Sequence, residues 1–312
     1  MRRIASIDIG TNTVLLLVAE AEPGQPPQAL VERCEITRLG QGVDQTKVLA
    51  PEAIARTVEV LKAYGAIARE QGAEVVAVGT QALREVRNAT VFLDPARRAL
   101  GGEIEIISGS REAQLAYSAV TGAFPELAAR CAVVDVGGGS TEITLADGGQ
   151  VVSRQSTKLG SVRLHERFCK SDPPSESEWA ALVAHVEETL AGALAQGVPA
   201  GTPLVGIAGT VTTLAAIEGG VHPYDGAKVH GTRLSRGQVD KWTERLRRMS
   251  VAERRKVRGL EPKRADVIDA GAAILRGVMA RATAEEVVVS DRGVRWALVY
   301  ERLGRPTVSP GG

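Results

Sequence analysis

Asp8-Ile9-Gly10-Thr11-Asn12-Thr13 lies between the apolar runs Ile4–Ile7 and Val14–Val18, and the arrangement returns as Asp135-Val136-Gly137-Gly138-Gly139-Ser140. Both copies read strand, Asp-x-Gly-x-x-Ser/Thr, strand. Each specifies a hairpin whose glycines let main-chain N–H groups converge on an anion, while the strand-end aspartate stays available to a divalent cation. A single copy would be an ordinary turn, because Asp and Gly are default turn residues. Two copies agree in the aspartate, the first glycine, the hydroxyl five places after the aspartate and the flanking strands. They point to a duplicated fold, and two such turns facing one cleft would form a phosphate clamp.

Length agrees with duplication, since 312 residues suggest two domains of about 150 each. Lys and Arg number 38 against 37 for Asp and Glu, so no global field draws the chain to nucleic acid or to a membrane surface. Cys34, Cys131 and Cys169 lie far apart with neither disulfide-framework nor zinc spacing, which fits a reducing cytoplasm. His165, His185, His222 and His230 show no metal-ligand spacing either. No stretch approaches the ~18 apolar residues needed to span a bilayer, so a soluble, unexported protein is expected.

Pro23, Gly24, Pro26 and Pro27 mark a loop after the first hairpin, and Ala29–Leu39 reads as further strand. From Pro51, apolar residues at Ile54, Val58, Leu61 and Ile67 follow helical spacing until Gly72, and Val75–Val78 resumes as strand. Helix is expected from Gly79-Thr80 through Val86 and again over Phe92–Leu100, then strand at Ile104–Ile107 and helix over Ser110–Thr121. The order β-β-β-α-β-α restarts near residue 130. It continues with helix over Ser177–Leu194, strand at Leu204–Ile207, helix over Leu214–Ile217, a last strand at Val287–Val289 and a last helix over Gly293–Leu303. The expected domains are 1–124, with helix 293–304 able to pack back on it, and 125–304, followed by a tail, 305–312. Gly209-Thr210 at a helix entry suits either an anion or a simple N-cap. Residues 241–264 hold ten Lys or Arg against three Glu, an excess of seven positive charges, which reads first as a solvated helical face and second as a polyanion track.

Among so many acidic residues, only those beside the glycine turns single themselves out. Asp8 and Asp135 end the strands entering the turns, and Glu142 follows the second turn closely enough to face the same space. Such a set suits magnesium, which keeps waters and takes one or two carboxylates directly, with Glu142 acting through water. Glu112, where a strand passes into a helix, could simply complement the helix N-terminus. Thr80 and Arg84, four apart at a helix start, share a face. On spacing alone, Arg84 serves equally as a phosphate ligand or as a partner for a neighbouring acid.

Together with the two turns, Gly79-Thr80-Gln81-Ala82-Leu83-Arg84 and Ile107-Ser108-Gly109-Ser110-Arg111-Glu112-Ala113 resemble the exopolyphosphatase and guanosine pentaphosphate phosphohydrolase (Ppx/GppA) family. Later blocks agree: Leu159-Gly160-Ser161-Val162-Arg163-Leu164, Gly206-Ile207-Ala208-Gly209-Thr210, Arg264-Ala265-Asp266-Val267-Ile268 and Ser290-Asp291-Arg292-Gly293. The resemblance implies an α/β fold of two duplicated, ribonuclease H-like lobes, as in actin, sugar kinases and heat-shock ATPases, with the active site in the cleft between them. It also implies roles. Glu112 matches the catalytic general base. Gly10, Thr11, Asn12, Thr13 and Gly137, Gly138, Gly139, Ser140, Thr141 match the phosphate loops, and Arg84 matches a phosphate-binding arginine. Asp135 and Glu142 match magnesium-binding acids, joined by Asp8 from the residue reading. Many members carry an acid where this chain has Arg111, a change in local charge and substrate grip. The chain also looks like a short form without a helical C-terminal domain, which suggests a preference for shorter polyphosphate.

The expected reaction is Mg2+-dependent release of terminal phosphate from inorganic polyphosphate, with Mn2+ as the other metal choice. A guanosine penta- or tetraphosphate presents the same phosphoanhydride chemistry and is the alternative substrate. Phosphate transfer to an acceptor hydroxyl would mark an ATP-dependent small-molecule kinase, against which stands the Ser-Gly-x-x-Glu-Ala segment. A non-catalytic alarmone sensor is disfavoured because every proposed catalytic carboxylate is retained. By resemblance the protein is expected to be a homodimer, with neither nucleic acid nor membrane as partner.

Overall fold

A computed structural model describes residues 1–22 and 25–303. Pro23, Gly24 and the expected tail at 305–312 lie outside the described residues. The chain divides into two compact units, one formed by Met1–Pro125 together with the segment from Gly293, the other by Glu126–Arg292.

The first unit runs β1 (Arg2–Ile9), β2 (Thr13–Ala21), β3 (Gln28–Ile36), α1 (Val43–Thr46), α2 (Pro51–Glu70), β4 (Glu74–Gly79), α3 (Gln81–Arg84), α4 (Ala89–Leu100), β5 (Ile104–Ile106) and α5 (Gly109–Ala123). The second runs β6 (Arg130–Val136), β7 (Thr141–Asp147), β8 (Gln150–Thr157), α6 (Ser161–Phe168), α7 (Glu176–Ala193), β9 (Leu204–Ile207), α8 (Ala208–Glu218), α9 (Gly226–Val229), β10 (Arg233–Ser235), α10 (Arg236–Arg247), α11 (Val251–Arg254), α12 (Ile268–Arg281) and β11 (Glu286–Val289). The closing helix α13 (Val294–Leu303) returns to the first unit.

The two sheets repeat one plan. The first has the order β3-β2-β1-β4-β5, antiparallel through its first three strands and parallel thereafter. The second reads β8-β7-β6-β9-β11 in the same sense, with β10 added antiparallel at the far edge. This is the duplicated α/β order that the family resemblance implies, and the two copies of the hairpin occupy equivalent places in it.

Strand periodicity decides which side chains reach the site. Successive residues of a strand face opposite sides of the sheet. In β1, Ala5, Ile7 and Ile9 pack with Leu61 and Tyr64 of α2 and Phe92 of α4. Ile4 packs on the other side with Leu115 and Ala119 of α5 and Trp296 and Val299 of α13. Asp8 shares the parity of Ile4 and so faces α5 and α13. In β6, Ala132, Val134 and Val136 enter the core of the second unit with Leu182, Val186 and Ile274, which leaves Asp135 on the opposite face. The register pairs Asp135 with Glu142 and Asp8 with Leu15, so leucine stands in the first unit where the second has its second acid.

Some boundaries differ from the sequence reading. The strand expected through Leu39 ends at Ile36, because Thr37 and Arg38 turn their N–H groups onto the Asn12 carbonyl and Arg38 adopts a left-handed φ of 54°. The helix expected through Val86 is the single turn α3, and the next begins at Ala89. Asn88, just before it, exchanges hydrogen bonds with the backbone of Leu49 in place of a helical continuation.

Candidate active site

The turns close in the same way. Gly10 N–H donates to Thr13 O at 2.9 Å, and Gly137 N–H donates to Ser140 O at 3.0 Å. A Cβ on either glycine would sit 3.1 Å from that same carbonyl oxygen. Neither has a positive φ, so glycine is required here for close approach and not for left-handed backbone.

The surroundings satisfy the turns' carbonyls. Thr11 O accepts from Gly40 N–H at 2.8 Å, and Asn12 O accepts from Thr37 and Arg38 at 3.1 and 2.9 Å. In the second unit the first turn of α6 performs this task, with Ser161 N–H donating to Gly137 O and Val162 and Arg163 N–H to Gly138 O. Arg163 Nε adds a bond to Gly139 O at 2.9 Å. The N–H groups of Thr11, Asn12, Gly138 and Gly139 donate to no backbone carbonyl among the described residues. Converging N–H groups of this kind suit an anion.

Side chains of the turns divide into two kinds. The Thr11 hydroxyl donates to Gln81 Oε1 at 3.2 Å, and the buried Asn12 Oδ1 accepts no hydrogen bond. Thr13 is half-buried and Ser140 buried. Thr141, fully buried, donates inward to Leu159 O at 2.7 Å, so its hydroxyl anchors the turn.

The acid cluster lies in the first unit. Ser108 caps α5 by accepting from Arg111 N–H, which sets Glu112 in the first helical turn. Arg84 Nη1 lies 2.6 Å from Glu112 Oε2 and 2.9 Å from Ile107 O, so Arg84, α3 and α5 are tied at one point. The sequence left Arg84 open between phosphate and a neighbouring acid; in the structure its partner is Glu112. Burial raises the Glu112 pKa, opposed by the charge and hydrogen bond of Arg84. Burial pushes Asp8 up to about 7, with the Glu112 charge adding to the rise and Arg295 of α13 opposing it. Arg111 pairs with Glu301 of α13 at 2.7 Å. In the second unit, Asp135 and Glu142 are buried, and Glu142 Oε1 accepts from the Ser156 hydroxyl at 2.7 Å.

A divalent cation fits the chemistry of these donors. Asp8 Oδ1 is buried and accepts no hydrogen bond, a costly condition for a carboxylate that a cation would relieve. Among the described residues no three His, Cys, Asp or Glu side chains form a preformed cage. Magnesium does not need one, since it commonly keeps waters and shares its shell with substrate phosphates.

Four contributors escaped the sequence reading. Gln81 is buried, holds Thr11 and has an unpartnered Nε2; its place between Thr80 and Arg84 was the available signal. Arg295, Arg163 and Gly160 gain their roles through tertiary packing, and Gly160 is forced by contact, since a Cβ there would lie 2.4 Å from Gly138 O. At Gly209 a Cβ would meet Arg264 Nη1 at 2.0 Å, so a guanidinium covers that helix entry.

A family model described as the Ppx/GppA phosphatase family matches residues 17–305. The chain belongs to this family. Exopolyphosphatase 2 of Mycobacterium tuberculosis is 37% identical over 309 residues, covering 94% of this chain and 96% of the relative. The crystal structure of the Aquifex aeolicus Ppx/GppA family member superposes with a TM-score of 0.81 at 36% identity, covering 99% of both chains. A Vibrio vulnificus guanosine-5'-triphosphate,3'-diphosphate pyrophosphatase is 29% identical over 96% of this chain, which spans 59% of that relative. Members of the Ppx/GppA family with these names are phosphoanhydride hydrolases, and each unit of the present chain carries an Asp-x-Gly turn.

Proposed function

We propose that the protein is an exopolyphosphatase that releases terminal orthophosphate from inorganic polyphosphate, with Glu112 as general base. The observation that carries the reading is the desolvated carboxylate of Glu112, poised at a helix start 2.6 Å from Arg84 and beside the charge of Asp8. A general base works best with a pKa near the operating pH, and burial moves Glu112 in that direction.

In this mechanism the N–H groups of Thr11, Asn12, Gly138 and Gly139 bind phosphoryl oxygens. Phosphate competes for Arg84, which loosens its grip on Glu112 Oε2. The freed carboxylate takes a proton from water as the water oxygen forms its bond to the terminal phosphorus. The bond from that phosphorus to the bridging oxygen breaks in line, and the shortened chain keeps the bridging oxygen and its electron pair. Asp8, Asp135 and Glu142 would hold Mg2+, or Mn2+ in its place, whose charge offsets that of the phosphoryl oxygens. Family resemblance extends the proposal to a cytoplasmic homodimer. Among the described residues no helix is long and apolar enough to cross a membrane.

Guanosine pentaphosphate is the second reading, favoured by the Vibrio vulnificus relative. Released phosphate, measured with each substrate and magnesium, separates the two. Higher kcat/KM on polyphosphate is expected; release from guanosine pentaphosphate alone would transfer the assignment, and release from neither would remove it.

A further inference from the structure

The basic segment at 241–264 does not behave uniformly. Several of its cations are consumed by carboxylates: Lys241 by Glu218, Arg247 by Glu176 and Glu244, Arg248 by Glu244, and the fully buried Arg254 by Asp269. Arg245, Lys256 and Arg258 are different. They are exposed, and among the described residues none lies within 4.0 Å of a carboxylate oxygen. All three line one open cavity of about 710 Å³.

The two carboxylates in the cavity wall are already engaged. Glu218 accepts from Gln238, Lys241 and the Trp242 indole N–H. Glu253 accepts from the Ser250 N–H and hydroxyl in a capping box. The wall therefore carries a small positive excess, three cations against two carboxylates, with the Lys256 charge acting on Glu253 and the Arg245 guanidinium 4.9 Å over the Trp242 ring. Its remaining surface is partly apolar, from Ile217, Met249 and Val257.

The cavity is remote from the second turn along the fold. Ile207 registers with Asp135 at the turn-bearing end of β6, and α8 starts at the next residue. The cavity includes Glu218, Gly219 and Gly220 at the other end of α8, roughly 16 Å of helix away at 1.5 Å per residue. Arg258 is joined to that end by a hydrogen bond from Nε to Gly220 O.

We propose that this cavity is a second anion site that takes a compact, phosphate-rich anion through Arg245, Lys256 and Arg258. Arginine forks match phosphate oxygens, and the volume suits a ligand of small-molecule size. The site stands independently of which substrate the hairpin turns take. Its ligand chemistry has two sources, an inorganic oligophosphate or the polyphosphate group of a nucleotide.

Isothermal titration of Glu112→Gln protein with inorganic tripolyphosphate, and separately with guanosine triphosphate, tests the site. With tripolyphosphate, two binding events are expected. Adding Arg245→Gln, Lys256→Gln and Arg258→Gln should weaken one of them by about tenfold or more, the equivalent of one charge-assisted hydrogen bond. The tighter of the two ligands identifies the source. Lys256→Glu alone, at an exposed position, keeps the test decisive should the multiple variant fold poorly. Isotherms unchanged by either set of substitutions would overturn the site. Failure of the enzyme to release phosphate would count against the proposed reaction and leave this test intact.

Discussion

The two hairpin turns share one backbone and differ in everything attached to it. Each closes through glycine N–H to the carbonyl of the hydroxyl residue three places on, and each tolerates a Cβ at only 3.1 Å. Yet Asp8 faces Leu15 across its hairpin where Asp135 faces Glu142. The first turn has its carbonyls held by a loop containing left-handed Arg38; the second has them held by the N-terminus of α6. The same glycine-turn backbone thus occurs twice, and the desolvated Glu112 lies beside only the first copy's aspartate. In the proposed reaction, phosphate binding is shared by the units, whereas proton transfer belongs to one of them.

The largest effect should separate these roles. Glu112→Gln is expected to lower kcat by about 10² to 10⁴-fold, the usual range for a positioned general base, while leaving the unfolding temperature in place. Glu142→Gln should act more weakly and be partly rescued by added magnesium; equal, unrescued losses would erase the division of labour. Next comes the difference in how the turns are braced. Gly160→Ala drives a methyl within 2.4 Å of Gly138 O and Gly139 C, both backbone, whereas Gly40→Ala meets the Thr11 methyl, a side chain that can rotate. The first should cost about 1–3 kcal/mol in denaturant unfolding and raise KM, the second less.

A smaller effect concerns pH. The Asp8 pKa is raised from 3.8 to about 7, so the folded state holds a proton that the unfolded state has lost across that interval. Its contribution to stability is present below the unfolded value and lost as pH rises through about 7. Asp8→Asn should therefore raise the unfolding temperature relative to the parent more at pH 8 than at pH 5, in the absence of divalent cation. Calorimetry at the two pH values checks this, and a gap that widens toward acid would contradict it. Least of all, Ser156→Ala removes the hydrogen bond to Glu142 Oε1 at an exposed residue and should shift half-saturating magnesium modestly, by ~1 kcal/mol or less.

The duplication was legible because a hairpin motif and its flanking strands occur twice with the same local chemistry, and the fold class followed from the resemblance that the motif series carries. Strand parity follows from the hairpin directly, and parity alone puts Asp8 and Asp135 on one kind of face. Helix lengths near α3 were less legible, since Asn88 chooses Leu49 as partner through the tertiary fold. The pairing of Arg84 with Glu112 was open for the same reason, as 28 residues, including α4 and β5, separate them. Arg295 carries no local mark and acquires its role from α13 returning to β1, while Gly160, though part of the Leu159–Leu164 block, acquires its role from backbone crowding beside Gly138. Residues whose task is set by a neighbour distant in sequence stay silent until that neighbour is placed.

Because α13 covers Ile4, Leu17 and Val78 with Trp296, Val299 and Tyr300, the first unit is completed only after the whole of the second has been synthesised. The second unit, continuous from Glu126 to Arg292, has all its strands before that helix emerges. Until then the early sheet keeps an oily side unsealed, a condition that invites aggregation in partly made chains. A stop codon ahead of residue 293 would therefore damage the first unit more than the second.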